Sequence, residues 1–265
     1  MYEANRQFWN AISDDWREFR DRDQIWTQLT EKPELAFDGK ALEMIHDYVG
    51  TLQNKRVGII GSGDNYVAFA LAGLGATVTS IDISQAQLDV AASRAKTLGL
   101  SIEFIQADAR YINEVANNCF DLVFSSNGFY VWIAEPGKVF AEVHRILGPN
   151  GYYIFYDVHP FQRPWINRKE DLQLLEMKKS YWDTGPFVEK SDQVTYEFNW
   201  TMADMLNPLI DSGLVLKRIA ESPPVDSRFW QGHSYATGTD DRLMDWRNNP
   251  QAGLPAWLTV VAQKG

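Results

Sequence analysis

The stretch "RVGIIGSGDNYVAFAL", Arg56–Leu71, decides the fold. An apolar strand runs into a glycine turn, and the turn opens a helix. Such a turn lets a backbone come close to a ligand. A dinucleotide fold asks for three glycines, G-x-G-x-x-G, with a pyrophosphate at the positive end of the helix. Here Gly61 and Gly63 match, but the third place is Tyr66. Asp64 stands where the helix begins, so its carboxylate caps the N-terminal dipole and repels a pyrophosphate brought there. The turn therefore suits a ligand without a diphosphate. A tight strand–helix turn with no ligand is the plain alternative.

Working outward, strand–helix alternation continues on both sides of the turn. Strands are expected at Arg56–Ile60, Thr77–Asp82, Ser101–Gln106, Phe120–Ser125 and Tyr152–Asp157. They are apolar on both faces, as parallel strands covered by helices are. Ser84 and Gln87 predict a capping box, and Gly99 closes that helix. Pro136 starts the helix that ends before Gly148. Repeated βα units of this spacing make an α/β, doubly wound sheet. A late unit places a helix after Thr201, kinked at Pro208 and ended by Gly213, then a strand over Leu214–Ala220. The last strand is Ala256–Gln263.

The flanks read differently. Arg6–Arg20 carries Phe8, Trp9, Ile12, Trp16 and Phe19 at roughly helical spacing, and a second helix covers Lys40–Tyr48. Residues His159–Trp200 hold no clear helical or strand period. Of ten tryptophans, three precede residue 57 and six follow Asp157, so the plain αβ core lies between aromatic segments. We divide the chain as one domain, 1–265, with an N-terminal helical cap at 1–50 and an inserted cap segment at 158–200.

Composition narrows the partners. The 265 residues are 45% hydrophobic and 23% charged, enough apolar material for a sizeable core. The net charge is −10 and no Lys/Arg cluster occurs, which argues against nucleic acid. One cysteine, Cys119, excludes an intrachain disulfide and a Cys-rich zinc site, and no metal cluster is evident. The N-terminus is acidic and aromatic, unlike a signal peptide, and the apolar run Tyr66–Val78 is too short to span a bilayer. The expectation is a cytoplasmic protein acting on a small molecule, with neither nucleic acid nor membrane as partner. A homodimer is left open.

The neighbouring strand tips carry acids. Asp82, in "TSIDIS", lies 21 residues after Gly61 and can accept both hydroxyls of a ribose. Asp108, in "QADAR", can accept from an exocyclic amine such as that of adenine. "VGIIGSGDN", "TSIDIS", "QADAR" and "AEVHRILGPNG", in this order, resemble the class I S-adenosylmethionine-dependent methyltransferases of the small-molecule type. The likeness covers about Lys55–Asp157, and Trp200–Glu221 more loosely. It implies a seven-stranded, mostly parallel Rossmann-like sheet with an antiparallel last strand, and S-adenosyl-L-methionine as cofactor. Gly61, Ser62, Gly63, Asp82, Ile83, Asp108, Ala109, Ser125 and Asn127 fall on cofactor-binding positions, with Ser126 beside them.

Two positions depart from the family pattern. An acid often stands two residues before the first glycine, where Ile59 is found, and Asn65 replaces the third glycine. The methionine end would then be held by a backbone carbonyl, Asn127 or the N-terminal helix. Two alternatives stay open: an NAD(P)-dependent oxidoreductase, and a non-catalytic S-adenosylmethionine binder. Among four histidines, His159 follows the fifth strand at the ligand-bearing edge and is the candidate general base. His233 lies in a late glycine-containing loop and is a candidate lid residue. Trp9 and Trp16 either cover the site or staple their helix to the core.

Overall fold

Both faces of the central sheet are greasy because helices cover both. The computed structural model describes residues 1–63, 66–165, 175–231 and 238–265. In chain order the elements are α1 (Tyr2–Ala11), α2 (Ser13–Asp21), α3 (Ala41–Tyr48), β1 (Arg56–Ile60), α4 (Tyr66–Gly73), β2 (Thr77–Asp82), α5 (Gln85–Thr97), β3 (Ile102–Gln106) and β4 (Phe120–Ser125). They continue with α6 (Pro136–Ile146), β5 (Leu147–Val158), β6 (Phe187–Lys190), β7 (Val194–Glu197), α7 (Met202–Asp211), β8 (Leu214–Ser222) and β9 (Trp257–Lys264).

Seven strands form one sheet in the order β3-β2-β1-β4-β5-β9-β8. The β3-β2-β1-β4-β5 pairs are parallel, and β9 runs antiparallel to both β5 and β8. The expected doubly wound sheet with an antiparallel last strand is therefore what the chain forms. The order reverses between β1 and β4, the switch point where open α/β sheets bind ligands beyond their strand tips.

Strand alternation sorts the core. Val57 and Ile59 of β1 pack with α3, α4 and α5 on one face, while Ile60 joins Val123, Phe140 and Tyr153 on the face covered by α6 and α7. Helix α4, apolar all round, has Val67–Leu71 buried in succession, between the sheet and the turn at Pro33–Ala36. Ser84 Oγ accepts from Gln87 N–H and donates to Asn10 Oδ1, which also accepts from Ala86 N–H. Asn10 of α1 thus docks the N-terminal helix on the start of α5. At Thr201 both halves of a capping box form, and α7 runs continuously through Pro208.

Several elements differ from the sequence reading. The stripe at Arg6–Arg20 is two helices, broken at Ile12, where ψ is 6°. Strand β5 begins at Leu147, five residues earlier than periodicity indicated. Within 158–200, β6 and β7 pair as an antiparallel hairpin, too short and too exposed on one strand to leave a period. Asp64, Asn65 and His233 lie outside the described residues.

Candidate functional site

One cavity of about 850 Å³ opens beyond the tips of β1, β2 and β4. That size suits a small-molecule site. Its floor is the glycine turn. Gly61 N–H and Ser62 N–H both donate to Ile81 O, extending the β1–β2 pairing into the turn, and Ser62 Oγ lies 2.8 Å from Ser80 Oγ. Gly61 has φ +67°, and a Cβ there would sit 2.1 Å from Phe129 Cδ2. Gly63 has φ +52°, and no described atom lies within 4 Å of where its Cβ would be. The first glycine is needed for the protein's own packing. The second leaves a cradle of open space on the cavity wall.

Asp82 faces this cradle. Its Oδ2 accepts from Gly63 N–H and its Oδ1 from Ser84 N–H, both at 2.8 Å. Two backbone donors hold the carboxylate at the cavity edge, as an acceptor of paired hydroxyls requires. Ile83, Asp108 and Ala109 line the same cavity. Asp108 is also clamped by Arg110, whose Nη2 donates to its Oδ2 at 2.7 Å and whose Nη1 reaches Glu135. The Arg110 guanidinium stacks on the Tyr2 ring, so α1 closes that end.

At the β4 tip, Ser126, Asn127 and Gly128 line the cavity, but Ser125 does not. Position 125 shares a strand face with Val123, toward α6, and its hydroxyl accepts from Tyr153 in a buried chain that continues to Tyr130. Asp157, 3% exposed, accepts from Gly128 N–H and from Arg163, and so ties the 126–128 turn to β5. Burial pushes the Asp157 carboxyl above its ordinary value, against the pull of Arg163.

His159 does not reach the cavity either. Its backbone N–H still pairs with Ala256 O, so the chain has not yet left the sheet at this residue. The ring is 0% exposed; Nδ1 accepts from Phe161 N–H, and Nε2 lies 2.8 Å from Glu221 Oε1 on β8. Burial lowers its proton affinity, and Glu221 opposes that. The expected general base is a strap between β5 and β8, turned away from the ligand space.

The walls come from outside the repeating βα units. Trp9, Trp16 and Phe19 line the cavity from α1 and α2, so those two tryptophans face it rather than only stapling the helix. Among the described residues of 158–200, none lines it. The hairpin instead backs α1, with Tyr196 N–H donating to Asn5 Oδ1 and Asn5 Nδ2 donating to Tyr196 O. From the C-terminal half, the wall includes Tyr156, Val225, Asp226, Arg228, Phe229 and Trp257.

A polar corner completes the cavity, and the sequence reading passed over it. Asp38 lies there with Arg20 of α2, Tyr156 of β5, and the Asp226–Arg228 ion pair, whose Nε–Oδ1 separation is 2.9 Å. Burial raises the Asp38 carboxyl to about 6; Arg20 and Arg228 pull it down and Asp226 pushes it up. Lys40 N–H donates to Thr259 Oγ1 and Ala41 N–H to Asp38 O, which fixes the loop carrying Asp38 against β9. The only sequence signal was an Asp-Gly pair inside the polar stretch "TEKPELAFDGK", which reads equally well as a linker turn.

Among the described residues, no group of three or more His, Cys, Asp or Glu could hold a metal ion, and no helix is long and apolar enough to cross a membrane.

Comparisons with known proteins agree with this geometry. Residues 59–155 match the family described as methyltransferase domain. A ubiquinone biosynthesis O-methyltransferase from Pseudomonas syringae pv. tomato is 31% identical over 113 residues, 43% of this chain and 48% of that protein. The chain spans about half the length of the curated relatives it matches. A crystal structure of an S-adenosylmethionine-dependent methyltransferase from Mesorhizobium loti superposes with a TM-score of 0.62 at 22% identity, covering 85% of this chain and 98% of that one. Geranyl diphosphate C-methyltransferase from Streptomyces coelicolor, crystallised with S-adenosyl-L-homocysteine, gives 0.57 at 12% identity, covering 84% of this chain and 78% of that one. At such identities these two likenesses speak for the fold. Sheet order and glycine turn give this chain the fold of the class I S-adenosylmethionine-dependent methyltransferases, and residues 59–155 match the methyltransferase domain family.

Proposed function

We propose that the protein transfers a methyl group from S-adenosylmethionine to a small-molecule acceptor in the cytoplasm. The observation that carries this is that one cavity joins the Gly61–Gly63 turn and the Asp82 carboxylate to an aromatic cover from outside the matched domain. A nucleoside fits that half: Asp82 would take the ribose hydroxyls, Asp108 and Ala109 the adenine edge, Ile83 the adenine face, and Gly63 and Asn127 would leave room for the chain beyond. The family match and the relatives favour this over the nicotinamide alternative.

The cofactor supplies an electrophilic methyl on a sulfonium, with a good thioether leaving group. What remains for the protein is alignment and a dry pocket. Trp9, Trp16, Phe19 and Phe229 supply the dry walls, and ring faces also suit a cationic sulfonium or a flat acceptor. The curated relatives are named O-methyltransferases, and we infer an oxygen acceptor on a small apolar or aromatic molecule. The N-terminal segment 1–50 serves as the cap in this reading, with 158–200 as its support.

The test is a transfer assay with methyl-labelled S-adenosylmethionine against a panel of small hydroxylated aromatics, beside calorimetry with S-adenosylhomocysteine. Label in an acceptor supports the reading. Tight product binding with no transfer across the panel would favour the non-catalytic binder. Stabilisation by NAD alone would favour the oxidoreductase.

A further inference from the structure

A hydroxyl that takes up a methyl group loses its proton, so an oxygen acceptor calls for a proton acceptor beside it. The strand order says where to look. From β2 to β9 the sheet edge steps through β1, β4 and β5, roughly 19 Å at the usual strand spacing of about 4.8 Å. The cavity runs along that edge. Asp82 and the glycine turn take its β2–β1 end for the nucleoside, which leaves the β5–β9 end for the acceptor. There Phe37, Tyr156, Phe229 and Trp257 line it. The Trp257 ring stands edge-on to Tyr156 and to Phe229, with centroids 5.8 and 5.1 Å apart, so this end offers ring walls to a flat acceptor.

Asp38 is fixed at the same end. Its neighbour Gly39 lies hard against β9, where a Cβ would sit 3.0 Å from Trp257 Cβ and 3.3 Å from Thr259 Oγ1. Lys40 N–H donates to Thr259 Oγ1, and the Tyr156 hydroxyl is a hydrogen-bond partner of the Asp38 N–H. These ties hold the loop at the tips of β5 and β9. The other acids of this end are less suited to take a proton. Asp226 is ion-paired with Arg228, and Glu34 and Glu43 are exposed, Glu43 also pairing with Lys40. His159 is turned away from the cavity, strapped to Glu221. Asp38 is therefore the sheltered carboxylate that the acceptor end provides.

We propose that Asp38 is the general base, taking the proton of the acceptor hydroxyl as that oxygen attacks the methyl group. This rests on the methyltransferase reading above and on its oxygen acceptor. The O–H bond breaks and its proton goes to an Asp38 carboxylate oxygen. A lone pair of the acceptor oxygen forms the new O–C bond, and the electrons of the breaking C–S bond stay on sulfur. Asp38 then gives the proton to water. The carboxyl must be ionised at the start, so kcat should fall as pH drops through its value of about 6. Facing it are Arg20 from α2, Tyr156 from β5, and Asp226 and Arg228 from the turn after β8, with the Lys40–Glu43 pair on its own segment. Burial outweighs the two arginines, which leaves Asp38 a stronger proton acceptor than an exposed aspartate yet ionised at neutral pH.

The experiment compares the intact protein with Asp38→Asn, by methyl transfer to a series of ring-substituted phenols and by calorimetry with S-adenosylhomocysteine. The variant should lose at least a hundredfold in kcat on a weakly acidic phenol and lose the fall in kcat below about pH 6. S-adenosylhomocysteine affinity should stay within about twofold, which also reports a folded variant. Along the series the loss should shrink as the phenol grows more acidic, because 4-nitrophenol in alkaline buffer is already ionised and needs no base. An equal loss on every phenol would overturn the proposal and make Asp38 structural. A rise in KM with kcat unchanged would overturn it too, leaving Asp38 an anchor for the acceptor. So would a tenfold loss of S-adenosylhomocysteine affinity, which would move Asp38 to the cofactor. If the unmodified protein bound S-adenosylhomocysteine and methylated no phenol, the base would fall and the cofactor reading would stand. If it bound no S-adenosylhomocysteine, both would fall.

Discussion

Replacing Gly61 by alanine should damage the fold, and replacing Gly63 should damage ligand binding instead. Both residues have positive φ, +67° and +52°, so each alanine meets a backbone cost of roughly 1–2 kcal/mol. At Gly61 the new methyl also falls 2.1, 2.7 and 2.8 Å from three carbons of the Phe129 ring. Phe129 is 8% exposed and packs edge-on against Tyr130, centroids 5.0 Å apart, so the ring has little room to withdraw. Overpacking of this kind adds about 1–3 kcal/mol. The total for Gly61→Ala is then about 2–5 kcal/mol, against about 1–2 kcal/mol for Gly63→Ala, whose methyl meets nothing described. Urea denaturation of the two variants should separate them by at least about 1 kcal/mol, with the slope unchanged. Calorimetry should reverse the ranking. Gly63→Ala fills the cradle beside Asp82 and should weaken S-adenosylhomocysteine at least tenfold in a protein close to native stability. Equal destabilisation of the two variants, or full affinity in Gly63→Ala, would refute the division of labour.

Other outcomes can be checked alongside. Asp82→Ala removes the acceptor for two backbone N–H groups and for the ribose, so S-adenosylhomocysteine affinity should drop by about 1.5–3 kcal/mol, and calorimetry at constant pH measures it. His159→Gln should lower the melting temperature and leave S-adenosylhomocysteine affinity unchanged. Burial keeps His159 neutral in the native state below its ordinary value of 6.5, so the unfolded chain binds more protons there. Native stability should therefore fall on acidification through that value, and less steeply in the variant when melting is followed across pH.

How much could be read beforehand depends on how local the cause is. The strands at Arg56–Ile60, Thr77–Asp82 and Phe120–Ser125 sit where apolar runs and turn residues placed them. Gly61, Gly63 and Asp82 were legible because a positive φ and a strand-tip carboxylate are fixed by a few neighbours along the chain. Ser125 and His159 went wrong for a shared reason. Sequence puts both near the ligand-bearing edge, but side-chain direction decides what they meet, and that depends on the pleat of β4 and on how far β5 runs before leaving the sheet.

The order and chemistry of the βα units were thus settled by sequence, since backbone hydrogen bonding and alternating burial follow from residues close together in the chain. Only the folded chain could bring Arg20, Asp38, Tyr156 and Arg228 to one corner, because they come from four segments whose meeting is set by long-range packing around β5 and β9. Charges that gain their meaning from distant partners leave no period and no motif, so the polar end of the cavity became visible in three dimensions alone.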